Sequence, residues 1–406
     1  MPPVPGIASV YIQHKTRSLD HPFDYRVPER LVADLVVGSV VLVPLGKQKA
    51  LGIVAGLSAE SKIAGSRLVD IAELVDYPPI SERLIRLALW ISDYYYCSPA
   101  TALSLVLPPG GLPTLVKAGS GKEASYTLKA PAIKPRRIKL ARLRETAMTG
   151  NSRKVMSEAG ERVMQTLAAE GELPLTELTR LAGVSASPVK TLAARGLVEI
   201  LEREVRRDGL RYYGGPETKN GAGNIPLENS YVSRDSAGKN GAAFAGGAPI
   251  PGSKTLTLNK AQQQALDAIV ARLDAGAGSG RNRPILLEGV AGAGKTEVYL
   301  CAIEAAVARG HQAIVLVPEI SLTNQAVKRF RRRFGDRVGV LHSGLSAGER
   351  YDEYSRIRAG DVDVVIGPRS ALFSPLPDLG IVVIDEENDG SFKQENDPRY
   401  DARRVA

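Results

Sequence analysis

Apolar positions along the chain change period several times, and each change predicts a different kind of element. Val36 to Leu45 (VVGSVVLVPL) and Ala50 to Leu57 (ALGIVAGL) are Val- and Leu-rich runs joined by Gly46-Lys47-Gln48-Lys49, the pattern of a β-hairpin. Phe23 to Pro28 (FDYRVP) reads as a third extended piece. After Pro78 and Pro79 the spacing turns helical, with Leu84, Leu87, Ala88, Ile91 and Tyr95 on one face. Residues 1–110 are thus expected to form a β-rich domain closed by a helix, with Tyr94-Tyr95-Tyr96 packed at that helix's end.

Over residues 157–207 the period stays helical. Val163, Leu167 and Ala168 line one helix that Gly171 ends, Leu175 to Ala182 make a second, and Ser185 to Leu197 a third. Gly196 to Ile200 and Glu202 to Arg207 read as strand, turn, strand. Three helices and a small ribbon fit a winged helix, or a plain helical adaptor that offers only a contact surface. Residues 208–253 are dense in Gly, Asn, Ser, Ala and Pro without any period, which predicts a flexible linker. From 254 to 406 strands and helices alternate. Pro284–Glu288, Ala313–Pro318, Val362–Gly367 and Gly380–Asp385 are expected strands, with helices at Lys295–Ala308 and Gln325–Phe334. Their continuous Val/Ile runs indicate a parallel sheet covered on both faces. The expected fold is multidomain: a β-rich N-terminal domain, a winged helix, a linker, then an α/β RecA-like lobe.

Charge adds a fifth segment. Residues 1–100 balance, whereas residues 101–154 hold 11 basic side chains against Glu123 and Glu145, a net +9 that equals the formal charge of the whole chain. The connector at 111–156 is therefore either a surface for a phosphate-bearing polymer or a solvated basic linker. The two cysteines, Cys97 and Cys301, lie far apart, which argues against a disulfide scaffold or a zinc site within this chain. The most apolar stretch, Leu31 to Leu45, is broken by Asp34, Gly38 and Pro44, and the start MPPVPGIASVYIQHK lacks a basic segment leading into an apolar run. No membrane segment and no secretory signal are expected, and the chain is placed in the cytoplasm.

Two strings carry chemistry. Gly289-Val290-Ala291-Gly292-Ala293-Gly294-Lys295-Thr296 satisfies G-x-x-x-x-G-K-[ST] between an expected strand and an expected helix. Gly289, Gly292 and Gly294 let backbone N–H groups wrap a phosphate, Lys295 reaches the β- and γ-phosphates, and the Thr296 hydroxyl holds Mg²⁺. About ninety residues downstream, Asp385-Glu386 ends an apolar run. Asp385 is expected to hold the magnesium ion and Glu386 to orient or deprotonate the attacking water. Gln262, just ahead of the expected strand, carries the amide donor and acceptor that can read an adenine edge.

GVAGAGKTEVYL, LVPEISLTNQ, LHSGLSAGER, IGPRSALFSPLPDLGIVVIDEENDGSFKQ and PRYDARRVA, in this order, together with FDYRVP, VLVPLGKQKALGIV and LALWISDYYYCSP near the front, resemble the PriA family of primosomal replication-restart helicases, superfamily II DNA motors. The resemblance implies ATP and Mg²⁺ as cofactors and 3′→5′ helicase activity on stalled or branched forks. It also implies a front domain that captures a DNA 3′ end. Forked and single-stranded DNA, single-strand-binding protein and other primosome proteins would be its partners. Phe23 would stack on the terminal nucleotide and Asp24 accept from its 3′-hydroxyl, with Lys47 and Lys49 near phosphates. Pro318, Glu319, Ser321, Thr323, Gly367, Arg369 and Ser370 match motifs that grip the strand. Phe392 to Tyr400 resembles an aromatic-rich loop in which Phe392 or Tyr400 stacks on a base.

Three departures from the family pattern qualify this. DEEH becomes Asp385-Glu386-Glu387-Asn388, the family's pocket lysine aligns with Val69 with Arg67 as the nearest cation, and the sequence stops at Ala406. The second lobe with its arginine, worth about 10³ to 10⁵ in phosphoryl-transfer rate, and the paired-cysteine zinc insertions of the family are absent. The chain by itself is expected to hydrolyse ATP little. The alternative is a non-enzymatic fork-binding and primosome-loading protein with a vestigial ATP site.

Overall fold

The computed structural model describes residues 6–13, 19–60, 68–118, 125–131, 133, 135–144, 157–205, 207, 257–275 and 283–406. The expected linker at 208–253, Arg67 and parts of the 111–156 connector lie outside the described residues. The rest falls into two compact units, one of residues 6–133 with 257–406 and one of residues 135–207.

Strands β1 (Ile7–Ile12), β2 (Phe23–Arg26), β3 (Val40–Leu45), β4 (Gln48–Ser58) and β5 (Glu73–Leu74) form one antiparallel sheet in the order β2-β1-β4-β3-β5. The β3–β4 turn is the two residues Gly46 and Lys47, tighter than the expected connection. Gly38 draws the next segment onto this sheet. Its φ is +91°, a Cβ there would stand 1.8 Å from the Ile80 carbonyl oxygen, and that carbon-free gap lets the Ile80 N–H donate to Gly38 at 3.0 Å. Helix α1 (Glu82–Tyr94) follows, burying Leu84, Ala88 and Ile91 as the spacing predicted and Ile85 besides, with Leu87 and Tyr95 half-buried, and then the short α2 (Pro99–Ser104). Strands β6 (Thr114–Ala118) and β7 (Ser125–Lys129) pair as a hairpin within the expected connector. Tyr96 contradicts the expected packing, being 96% exposed.

The second unit contains β8 (Arg137–Leu143), α3 (Glu158–Glu170), β9 (Leu173–Pro174), α4 (Leu175–Ala182), α5 (Ala186–Ala194) and β10 (Val198–Glu204), with sheet order β10-β8-β9. Its three helices enclose Val163, Leu167, Leu178, Val189 and Leu192. The ribbon differs from expectation. Residues 198–204 are one continuous strand whose partner is β8, drawn from the basic connector. Leu140 and Ala141 are buried while Lys139 and Arg142 meet Glu202 at 3.7 Å and Glu199 at 2.9 Å across the pair. Charges that looked like a polymer-facing run are thus partly cross-strand partners. Exposed pairs of this kind contribute only about 0.2–1 kcal/mol each, so they select register more than they stabilise.

The back half comprises α6 (Lys260–Ala275), α7 (Lys295–Ala308), β11 (Gln312–Leu316), α8 (Asn324–Phe334), β12 (Val338–Val340), α9 (Ala347–Ala359), β13 (Val364–Gly367), β14 (Leu379–Ile384), β15 (Lys393–Gln394), β16 (Tyr400–Asp401) and α10 (Ala402–Val405). A parallel sheet runs β12-β13-β11-β14. The expected strand at Pro284–Glu288 is not formed: Leu286 is 74% exposed, and β14 ends the sheet among the described residues. Nor does α6 supply apolar cover: it buries no residue, and its hydrogen bonds include Gln262 to Ala293, Arg272 to Arg283 and Arg309 to Asp274. Without apolar cover, a parallel strand loses what holds it.

The β-rich front and the parallel-sheet lobe share one core. Ile85, Ile91 and Leu103 belong to the same buried cluster as Ile357, Phe392 and Tyr400. The Tyr95 hydroxyl accepts from the Asp401 N–H at 3.1 Å, and Arg404 donates to the Tyr94 hydroxyl at 3.1 Å. Phe392 is fully buried and Tyr400 4% exposed, which overturns their expected role as stacking faces for a base; burial pushes the Tyr400 phenol up to about 12. Replacing Phe392 by Ala should cost about 3–5 kcal/mol of unfolding free energy through the cavity it leaves. Denaturant unfolding checks this, and an unchanged midpoint would remove Phe392 from the core.

Candidate nucleotide site and DNA-contacting residues

Residues 289–294 form a loop that opens α7 at Gly294. Gly294 has φ +80° and lies against Gln262, whose Nε2 would be 2.4 Å from a Cβ there. The same Nε2 donates to the Ala293 carbonyl at 2.9 Å, while Oε1 accepts from the Asn259 N–H at 2.9 Å. With one hydrogen bond at each end of its amide, Gln262 braces the loop, and one N–H and one lone pair remain beyond these two bonds. The Lys295 ammonium is held by the carbonyls of Gly289 and, at 3.3 Å, Val290, fixing a positive charge over the loop.

The acids arrive from the other side of the sheet. β11 lies between β13 and β14, and the turns beyond the carboxyl ends of β11 and β14 border the crevice where such sheets take ligands. The Asp385 N–H donates to Leu316 at 2.9 Å, extending the pairing of these strands by one rung. The Tyr299 hydroxyl donates to Asp385 Oδ2 at 2.9 Å. One phenol on α7, three residues after Thr296, therefore ties the helix that carries Thr296 to the carboxylate expected to hold magnesium. Burial pushes that phenol well above its ordinary value, so it stays protonated and donating. Sequence reasoning passed over Tyr299, although three residues after Thr296 is one helical face. Glu386 adopts φ +51°, a conformation rare for a non-glycine residue. Its Oε2 accepts from the Ser321 hydroxyl at 3.0 Å.

A lysine cation, a hydroxyl and a carboxylate around a glycine-opened helix N-terminus form the donor set that a magnesium nucleoside triphosphate takes. Thr296 and Asp385 would hold the metal and Lys295 the phosphates. Among the described residues no group of three or more His, Cys, Asp or Glu is disposed to hold a metal ion, so such an ion would rely on phosphate oxygens for its remaining ligands.

The other expected residues are placed unevenly. Phe23 and Asp24 are half-buried neighbours on β2, and Asp24 accepts from Ser9 at 2.8 Å. Val69 stands beside them, its carbonyl accepting from the Arg26 N–H at 2.9 Å. Lys47 and Lys49 are exposed on the β3–β4 hairpin. Arg369 departs from expectation: it donates to Gln394 Oε1 at 2.7 Å and to the carbonyls of Ser391 at 2.6 Å and Lys393 at 3.2 Å. Its guanidinium holds the loop ahead of β15 through Nε and Nη1. Glu319 accepts from the Ser343 N–H, and Thr323 caps α8. Asn388 is exposed.

Comparison with known proteins agrees with this layout. A family profile described as 3′DNA-binding domain (3′BD) matches residues 9–108, and one described as DEAD/DEAH box helicase matches residues 259–403. The replication restart protein PriA of Bacillus subtilis (strain 168) is 32% identical over 450 residues, covering 99% of this chain and 51% of that protein. That of Haemophilus influenzae is 33% identical over 390 residues, covering 95% and 45%. That of Treponema pallidum is 46% identical over 164 residues, 40% of this chain and 24% of that protein. The chain thus spans about half the length of the curated relatives that match most of it.

Tyr299→Phe removes the hydrogen bond that ties α7 to Asp385. Unfolding free energy should fall by about 1.5 kcal/mol, the worth of a hydrogen bond to a charged group. The magnesium dependence of ATP-analogue affinity, followed by titration calorimetry, should weaken with it. Unchanged stability and unchanged magnesium dependence would show that the bridge does nothing.

Proposed function

We propose a role for this chain, which belongs to the PriA family of replication restart proteins, in ATP-dependent work on forked DNA. The observation that carries the reading is the Tyr299 hydroxyl of α7 donating to Asp385 at 2.9 Å, which supports a single nucleotide site made from the glycine-rich loop and the β14 tip. When bound, Mg²⁺ neutralises charge on the β- and γ-phosphates and fixes their orientation. Lys295 and the N-terminal N–H groups of α7 bind the phosphates. Glu386 takes a proton from the water whose oxygen bonds to the γ-phosphorus as the bond to the bridging oxygen breaks.

At the front, Phe23 and Asp24 hold the terminal nucleotide of a strand, the ring by stacking and the carboxylate by accepting from the 3′-hydroxyl. The full protein would open forks 3′→5′ in the cytoplasm and seat single-strand-binding protein and primosome proteins there. Ser321, in a motif implied to contact the strand, is tied to Glu386, which supports a direct link between DNA contact and hydrolysis.

Two experiments test this. Forks ending in a 3′-hydroxyl should bind about tenfold more tightly than forks ending in a 3′-phosphate, a difference of about 1.4 kcal/mol, and Asp24→Ala should erase the preference; equal affinities would end the 3′-end reading. An ATPase assay with and without DNA should show a low rate that Lys295→Ala abolishes. Turnover and ATP-analogue binding that ignore Lys295→Ala would favour the fork-binding protein without an engine.

A further inference from the structure

We propose that Tyr96 is a base-stacking post for single-stranded DNA, set between the β2 edge and the loop leading to Arg404, an inference resting on the DNA reading above. Its ring is 96% exposed and its φ is +53°. It sits just past the last turn of α1, where the Cys97 N–H closes the helix onto the Ser92 carbonyl at 3.1 Å. That left-handed position is one glycine fills without strain and a tyrosine does not. A residue that strains the backbone and buries nothing contributes little to folding, and such outliers point to function.

The surroundings identify the ligand. On one side, the Ser98 hydroxyl donates to Asp20 at 2.6 Å, tying the segment after Tyr96 to the residues that precede Phe23. On the other, Tyr95 is bonded to Asp401, and the Arg404 guanidinium lies 5.5 Å from the Tyr94 ring centre. Trp90, itself 39% exposed, stacks on Tyr94 at 4.8 Å. Tyr96 thus follows directly on the Trp90, Tyr94 and Tyr95 rings, which contact one another, in a segment tied to Asp20 on one side and to Asp401 and Arg404 on the other. Burial, then the Asp397 and Asp20 carboxylates, push the Cys97 thiol up, so both acids lie close to this turn. Carboxylates repel phosphates but leave the flat face of a base unopposed, and base–aromatic stacking accepts any base. The contact assigned to Tyr96 is therefore with a base a few nucleotides from the 3′ end, not with the backbone.

The test uses the full chain and a fluorescent fork with a free 3′-hydroxyl, beside the same fork whose 3′-terminal nucleotides are abasic. Tyr96→Gly should raise the melting temperature by relieving the backbone while weakening binding to the base-bearing fork about tenfold. Tyr96→Trp should retain wild-type affinity. On the abasic fork the Tyr96→Gly loss should nearly vanish, and the slope of affinity against salt should be the same for both proteins, because no phosphate contact is lost. Wild-type affinity in Tyr96→Gly, or an equal loss on both forks, overturns the proposal. Failure of the wild-type chain to bind either fork overturns the DNA reading itself, and with it this inference.

Discussion

Parallel pairing of β14 with β11, in the register that sets Ile384 beside Leu316, fixes where both acids of the nucleotide site stand. The rung from the Asp385 N–H to Leu316 carries the pairing one residue further, and there the extended chain ends. Glu386 turns into the left-handed region, so the two acids diverge. Asp385 faces α7 and meets Tyr299, while Glu386 faces the turn after β11 and meets Ser321. A slip of one residue would exchange them, because successive strand side chains face opposite ways.

The same constraint reaches the front of the molecule through the core. Phe392 follows the acidic tip by a few residues and is buried with Ile85 and Ile91 of α1, and Arg369 pins the chain just beyond it. Residues that resemble a DNA-contacting loop are here structural. They set the lobe against α1, whose far end carries Trp90, Tyr94 and Tyr96. Phe23 and Asp24 therefore belong to one compact unit with Lys295 and Asp385, not to two domains joined by the 208–253 segment alone.

Local patterns were legible in the sequence, and non-local ones were not. The glycine-rich loop, α7, α8 and the β14 acids are written in short-range spacing, and each stands where it was expected. Pro284–Glu288 has the composition of a buried strand, yet a parallel strand exists only through its neighbours, and here Leu286 is left 74% exposed. β8 was hidden because its basic residues read as solvated charge, when Glu199 and Glu202, some sixty residues on, are their partners. Phe392 and Tyr400 misled for the opposite reason: aromatic rings among Gly, Asp and Asn look exposed until a distant helix supplies their core. Gln262 was recognised as belonging to the site, but spacing alone does not tell a brace from a reader.

If strand and nucleotide meet on one unit, coupling between them needs small elements with two arrangements, not a hinge between domains. The Glu319–Ser321 turn has the required features. It follows β11 directly, Ile320 is 93% exposed, and Ser321 spends its hydroxyl on Glu386. A strand phosphate that accepted from Ser321 would draw that hydroxyl away from Glu386 and free one more acceptor site on Oε2 for water. Occupancy by DNA and readiness of the base would then be two descriptions of one hydrogen bond, and Asn388, exposed two residues further on, is not required for that link.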